Sequence, residues 1–325
     1  MSRVKWERVM LGAQVLMIAM LVVACGLNAS PSPSVSIGSS QPAVIPLPTK
    51  LADVIPFDQA LPLFEYDRQV PFEVSEVAEY PRGTAALDDI AYAGANGVRM
   101  PAYIVRPTGK GPFAGVIWMG WTGDYSQIRK EFVDEAFSLA DHGVVSLLVS
   151  GYFPWYVTPL DKDADRLAVI GQIRELRRAI DVLSAQPGVD ASRIAFVGHS
   201  MGGMFGLDLA AVDHRVKAAV LMAPHATFTD WVFQGYGLEP ALKADYRAAM
   251  ASFDPITFAP HAGPTTLYFQ FGSDDPYVPN DTARSLYGSA SLPKTIGWYA
   301  GGHDLDGTAT TDRDSWLATQ LRLSN

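Results

Sequence analysis

The stretch Arg193-Ile-Ala-Phe-Val-Gly-His-Ser200-Met-Gly-Gly203 decides the fold. Ile194–Val197 is a short apolar run, the composition of a strand covered on both faces. Glycines at 198, 202 and 203 then keep the surroundings of Ser200 small, and the apolar pattern that resumes to Val212 has helical length. A strand, a turn too tight for bulk and a helix lift one serine to the apex, in the G-x-S-x-G spacing of a nucleophile. The pentapeptide alone is a weak signal, because glycine and serine are common; its position between strand and helix makes it informative. Two bland readings meet the same residues. One is a Gly-rich turn with an inert serine, and the other a dinucleotide-binding turn, whose G-x-G-x-x-G spacing is absent.

Working outward, the same alternation of elements recurs. Asp88–Ala93 and Val98–Val105 flank Gly94-Ala-Asn-Gly97, a hairpin signal. Phe113–Met119, Val144–Val149, Val216–Met222, Thr265–Phe271 and Lys294–Tyr299 read as further strands, with helices over about 127–142, 166–185, 200–212 and 315–323. In the second of these, Ile173, Leu176, Ile180 and Leu183 share one face, and Arg174, Arg177 and Arg178 read as a solvated face. The pattern predicts an α/β fold: a mostly parallel central sheet, helices on both faces and an antiparallel N-terminal edge hairpin. Active-site loops then lie at the carboxyl ends of the strands.

A serine hydroxyl needs a base, and the base needs a carboxylate to orient it. On an elbow of this kind the partners follow in chain order, acid then histidine. Of six histidines, His303 in Tyr299-Ala-Gly-Gly-His303 follows the last strand, at its carboxyl end. His261 lies before a strand starts, His199 packs beneath the elbow, and His142 and His214 end helices. The acid belongs after Thr265–Phe271, where Asp274 and Asp275 are adjacent and only one can face His303. The oxyanion of acyl transfer needs backbone donors. These are expected from Met201 and from the turn Gly120-Trp121-Thr122-Gly123, where Trp121 is the assigned donor.

Together Gly198-His-Ser-Met-Gly202, Gly272-Ser-Asp-Asp275-Pro-Tyr-Val278-Pro and Gly301-Gly-His303 resemble the three motif blocks of α/β-hydrolases. Pro187-Gly-Val-Asp190, Arg193–Ser200 and Ala102-Tyr-Ile-Val-Arg-Pro107 are similar to dienelactone-hydrolase-like and acetyl-xylan-esterase-like members. The resemblance covers about Leu87–Leu323. It implies the α/β-hydrolase fold, a triad of Ser200, Asp275 and His303, and hydrolysis of a small-molecule carboxylic ester through an acyl-enzyme. It departs from the pattern twice: dienelactone hydrolase itself uses cysteine where this chain has Ser200, and the usual His-Gly before the oxyanion turn is Met119-Gly120. A prolyl-oligopeptidase-like peptidase shares the motifs, but Leu51–Ala86 is too short for a propeller. A non-catalytic binding protein on a hydrolase scaffold is the alternative from another class, and an intact Ser, Asp and His set argues against it.

The N-terminus reads separately. Met1–Arg8 sets Arg3, Lys5 and Arg8 against Glu7, and the 16 residues Val9–Ala24 are apolar apart from Gly12 and Gln14. This is the layout of an export signal, and the run falls short of the ~20 residues of a membrane span. Leu21-Val22-Val23-Ala24-Cys25-Gly26 resembles the bacterial lipobox, and Cys25 is the only cysteine in the chain. Residues 1–25 are therefore expected to be a lipoprotein signal, with Cys25 lipidated and the protein anchored to the bacterial cell envelope outside the cytoplasm. Residues 26–50, rich in serine and proline, read as a tether. Residues 51–325 read as one hydrolase domain with an N-terminal extension and a short cap segment at about 225–264.

The whole chain carries −9 and residues 1–25 carry +2, so the remainder carries −11, which argues against a nucleic-acid partner. No metal-binding spacing is present, so neither metal nor cofactor is implied. Trp231, Phe233 and Tyr236, with Tyr152, Phe153, Trp155 and Tyr156, either line a pocket or anchor loops.

Overall fold

Among the described residues, nine strands pair into one sheet: β1 (Ser75–Arg82), β2 (Ala85–Ala93), β3 (Arg99–Pro107), β4 (Phe113–Met119), β5 (Val144–Val149), β6 (Val189–His199), β7 (Val216–Met222), β8 (Thr266–Gly272) and β9 (Lys294–Tyr299). Their spatial order is β1-β2-β3-β5-β4-β6-β7-β8-β9. The computed structural model describes residues 45–121, 128–151, 161–233 and 240–323. Cys25 and the export signal lie outside the described residues, as do Thr122, Gly123, Tyr152, Phe153, Trp155, Tyr156 and Tyr236.

From β5 to β9 all pairings are parallel, while β1, β2 and β3 run antiparallel to their neighbours. The expected hairpin is therefore the inner part of a three-stranded antiparallel edge. β1 was not anticipated, and its residues explain why. Ser-Glu-Val-Ala-Glu-Tyr-Pro-Arg is exposed at all but one position, so it has no buried face to write into the sequence. It pairs only with β2, and Pro81 is tolerated because one side of an edge strand has no partner.

The helices are α1 (Phe57–Ala60), α2 (Val133–Ala140), α3 (Lys162–Ser184), α4 (Met201–Val212), α5 (Phe228–Phe233), α6 (Pro240–Met250), α7 (Pro255–Phe258), α8 (Asn280–Ser289) and α9 (Gly307–Leu321). Asp161 starts α3 by accepting the amides of Asp163 and Ala164 at 3.0 and 3.1 Å. Strand side chains alternate between two cores. Ile104, Ile117, Leu147, Phe196, Leu221 and Phe269 pack with α3, α4 and the cap. Val105, Val116, Leu148, Val197 and Val220 pack on the other face with α2 and α9. Strands β4 to β8 are apolar on both faces because each face is roofed by helices. The cap segment at 225–264 holds α5, α6 and α7.

One expectation is overturned. Arg174 and Arg178 are 2% and 0% exposed, not solvated. Arg174 donates to the carbonyls of Leu63 (2.9 Å) and Ile45 (2.8 Å), and Arg177 to Phe64 (2.6 Å). Arg178 donates to Ala93 (3.1 Å), Val70 (2.6 Å) and Pro71 (3.1 Å). The N-terminal extension lies across this face of α3 as chain that is irregular apart from short helical turns over 57–64. The carbonyls of its irregular stretches and the last ones of those turns need donors from elsewhere. The arginines supply them. The same contacts move the tether boundary: Ile45 is held by Arg174 and Leu47 packs on the core, so residues 45–50 belong to the folded body.

Candidate active site

Ser200 sits between β6 and α4 at φ 55°, ψ −116°, a backbone region that costs an ordinary residue about 1–3 kcal/mol. Its amide is held by the carbonyl of Met222 on β7 (2.7 Å), and the residue is 4% exposed. Close approach explains the glycines. A Cβ at position 198 would lie 2.2 Å from the Gly202 carbonyl oxygen, and one at 202 would lie 2.1 Å from that of Met119. Strand, helix and the end of β4 thus touch through backbone at the elbow. The Met201 amide opens α4, where the helix itself offers no carbonyl to accept its hydrogen.

Asp275 follows β8 and His303 follows β9, on neighbouring parallel strands. His303 Nδ1 donates to Asp275 Oδ2 at 2.8 Å. Asp274 is exposed, and its amide ties the acid loop to the base loop through the Gly301 carbonyl (2.9 Å). Of the two adjacent aspartates, Asp275 is the one that faces the imidazole. Asp275 Oδ1 also accepts the amides of Tyr277 (2.8 Å) and Val278 (3.0 Å). Burial pushes the Asp275 carboxyl up, but the hydrogen bond and charge of His303, with these two amides, outweigh it and hold the pKa below the ordinary value. Asp275 is therefore an ionised carboxylate that fixes one tautomer of His303, with Nδ1 protonated and Nε2 free to take a proton. The Ser200 hydroxyl and His303 ring are not hydrogen-bonded to each other in this structure. Such contacts commonly tighten only with substrate in place.

Trp121 is placed differently from its expected role. It is 52% exposed, and its amide donates to Glu131 Oε2 at 2.9 Å rather than facing an open site. Glu131 Oε1 in turn lies 2.5 Å from His199 Nδ1, and His199 Nε2 lies 3.0 Å from the His303 carbonyl oxygen. His199 is buried beside the elbow, its ring centroid 5.0 Å from that of His303. Glu131 escaped the sequence reading because it lies in no motif. His225, also passed over, is buried after β7, near enough to Asp275 to feel its charge, with Nδ1 3.0 Å from the Thr227 carbonyl oxygen. Burial, the largest influence on it, holds the His225 imidazole below its ordinary pKa.

Of the candidate pocket aromatics, Phe233 packs edge-on against Tyr246 at 5.4 Å, and Trp231 packs on the core. His261 stacks on Phe57 at 3.7 Å in the extension, as its place at the wrong end of the sheet anticipates. Three carboxylates that could converge on a cation, Glu76, Glu79 and Asp88, lie on β1 and β2 at the sheet edge, where Arg106 pairs with Asp88.

A nine-stranded, mostly parallel sheet with a strained serine after β6 and an aspartate–histidine pair after β8 and β9 is the α/β-hydrolase fold. The α/β-hydrolase family model matches residues 174–263 of the chain. Among solved structures, the acetyl xylan esterase of Paenibacillus sp. R4 is similar, with a TM-score of 0.66 and 19% identity over 81% of this chain and 93% of that one. Acetyl xylan esterase 1 of Thermoanaerobacterium sp. JW/SL YS485 has a TM-score of 0.65 and 18% identity over 82% and 95% of the two chains. A curated relative, a polyketide transferase of Stachybotrys chlorohalonatus, is 28% identical over 155 residues, 45% of this chain; the match spans 46%, about half, of that relative's length.

Proposed function

We propose that this protein is a serine hydrolase of small carboxylic esters, with Ser200 as nucleophile, His303 as general base and Asp275 as the orienting acid. The observation that carries the reading is the 2.8 Å Asp275–His303 hydrogen bond at the carboxyl ends of β8 and β9, the same edge of the sheet on which the Ser200 elbow follows β6. His303 Nε2 takes the Ser200 proton as Oγ attacks the ester carbonyl, and the Met201 amide receives the oxyanion. Collapse expels the alcohol, which leaves with the proton from His303. Water then attacks the acyl-serine by the same route and releases the acid. The Trp121 amide stays donated to Glu131 Oε2, so the oxyanion is assigned to the Met201 amide. The likeness to two acetyl xylan esterases makes acetylated sugars the first esters to test.

Export and lipid attachment at Cys25 complete the proposal and place the enzyme on the outer side of a membrane. The supporting feature is the lipobox-like Leu21–Gly26 with a lone cysteine. Cys25→Ser should abolish lipid labelling; unchanged membrane association disproves the anchor.

The test of the activity is fluorophosphonate labelling of the full chain beside Ser200→Ala. Labelling and turnover of 4-nitrophenyl acetate should both vanish in a variant that melts like the parent. Turnover that survives in Ser200→Ala refutes the nucleophile, and an unlabelled, folded parent refutes the hydrolase.

A further inference from the structure

Two ionisable side chains at the elbow have no part in the triad, yet they join its loops. Glu131 touches the oxyanion turn through the Trp121 amide (2.9 Å) and the elbow through His199 Nδ1 (2.5 Å). His199 touches the base loop through the carbonyl of His303 (3.0 Å). The turn is shaped around the carboxylate: a Cβ at Gly120 would lie 2.4 Å from Glu131 Oε2 and 2.7 Å from the Ile128 carbonyl oxygen. One chain of contacts therefore runs from the end of β4, through Glu131 and His199, to the backbone of the general base.

The donors in this chain can be counted. A carbonyl only accepts, so the His199 Nε2 contact requires a hydrogen on Nε2. Between Nδ1 and Glu131 Oε1 there is room for one proton, carried by His199 as an imidazolium that faces the carboxylate. If that proton leaves, a nitrogen lone pair faces a carboxylate at 2.5 Å and the contact must open. The charged groups around His199 are Glu131 from the segment before α2 and, from the base loop, Asp304 and the His303 ring. Burial pulls the His199 imidazole down, but Glu131, the His303 carbonyl and Asp304 more than offset it and leave the pKa above the ordinary value.

We propose that Glu131 and His199 are positioning residues that, by sharing one proton, brace the oxyanion turn against the general-base loop, and that turnover requires this proton. The proposal rests on the ester-hydrolase reading and adds its regulation by pH. Activity should fall at alkaline pH as the brace loses its proton.

Glutamine at 131 separates the brace from its proton. Its amide oxygen can accept from Trp121 while its NH2 donates to Nδ1 of a neutral His199, so the geometry persists with no proton to lose. kcat and KM for 4-nitrophenyl acetate are measured from pH 5 to 10 on the full chain. Glu131→Ala should lower kcat at least tenfold with KM within about threefold, because the brace aligns the reacting groups and does not bind substrate. Glu131→Gln should recover most of the lost kcat at pH 7 and lack the alkaline limb. An alkaline limb in Glu131→Gln equal to that of the parent, or a Glu131→Ala kcat within threefold of it, overturns the proposal. Histidine-labelled NMR reads the brace without turnover. At pH 6 His199 should carry protons on both nitrogens, and its titration should move to lower pH in Glu131→Gln. A singly protonated His199 at pH 6 overturns the brace, whereas an unlabelled Ser200 with an intact His199 signature would reject the esterase alone.

Discussion

Replacing Arg178 tests the way the N-terminal extension is held. This side chain is fully buried, and its guanidinium gives three hydrogen bonds, to Ala93, Val70 and Pro71, while lying 4.4 Å from the centroid of Phe72. Arg178→Met keeps most of the aliphatic volume and removes all three donors. A buried carbonyl that loses its partner costs about 1–3 kcal/mol. Val70 and Pro71 lie on irregular chain that can relax toward water, so about 1 kcal/mol for each of the three is appropriate, or ~3 kcal/mol in all. Arg178→Ala adds a cavity worth about 2–5 kcal/mol more. The assay is urea unfolding of the parent and both variants, with limited proteolysis of residues 45–73 as a local readout. The expected order is parent, then Met, then Ala, with cleavage in the extension appearing before global unfolding. An Arg178→Met variant within 1 kcal/mol of the parent, with an equally protected extension, refutes the argument that backbone carbonyls are what this arginine serves.

Two further outcomes follow from buried carboxylates. Asp275→Asn keeps the shape of the acid loop but no longer stabilises the correct His303 tautomer, so kcat/KM should fall by about 10³–10⁴-fold with a near-parental Tm; a loss under tenfold rejects Asp275 as the triad acid. Asp254, buried at the start of α7 and accepting the Phe228 amide at 2.8 Å, is pushed up to about 7 chiefly by burial. Its folded pKa lies above its unfolded one, so its charge costs nothing below the unfolded pKa, the cost grows from about pH 4 to 7, and it is complete above 7. Asp254→Asn should therefore gain on the parent by on the order of 2 kcal/mol more at pH 8 than at pH 5 in urea melts; a pH-independent difference refutes the burial argument.

Much of this architecture is written in local pattern. The apolar runs at β4, β5, β6, β7 and β8 are readable because each strand is covered on both faces, which needs no knowledge of the covering partner. The elbow is equally local: glycines at 198 and 202 are demanded by backbone contacts of 2.2 and 2.1 Å. The order of Ser200, an aspartate after β8 and His303 after β9 follows from chain direction in a parallel sheet. β1 gave no such signal, being an edge strand with almost every residue exposed.

Contacts between distant segments were not legible, because a side chain's sequence neighbours do not reveal which stretch of chain will cover it. Arg174 and Arg178 have the spacing of a solvated stripe, yet residues 45–71 lie across them, and the carbonyls of irregular chain turn surface-like arginines into buried donors. Glu131 and His199 are 68 residues apart, and nothing local marks the carboxylate as a partner of the elbow or of the Trp121 amide. Residues alone determine the sheet, the elbow and the chain order of Ser200, the aspartates and His303, since periodicity and tight turns are short-range constraints. Tertiary packing decided which aspartate faces His303, what the α3 arginines hold, and how the oxyanion turn is tied to the base loop, since each depends on surfaces that meet only when the chain is folded.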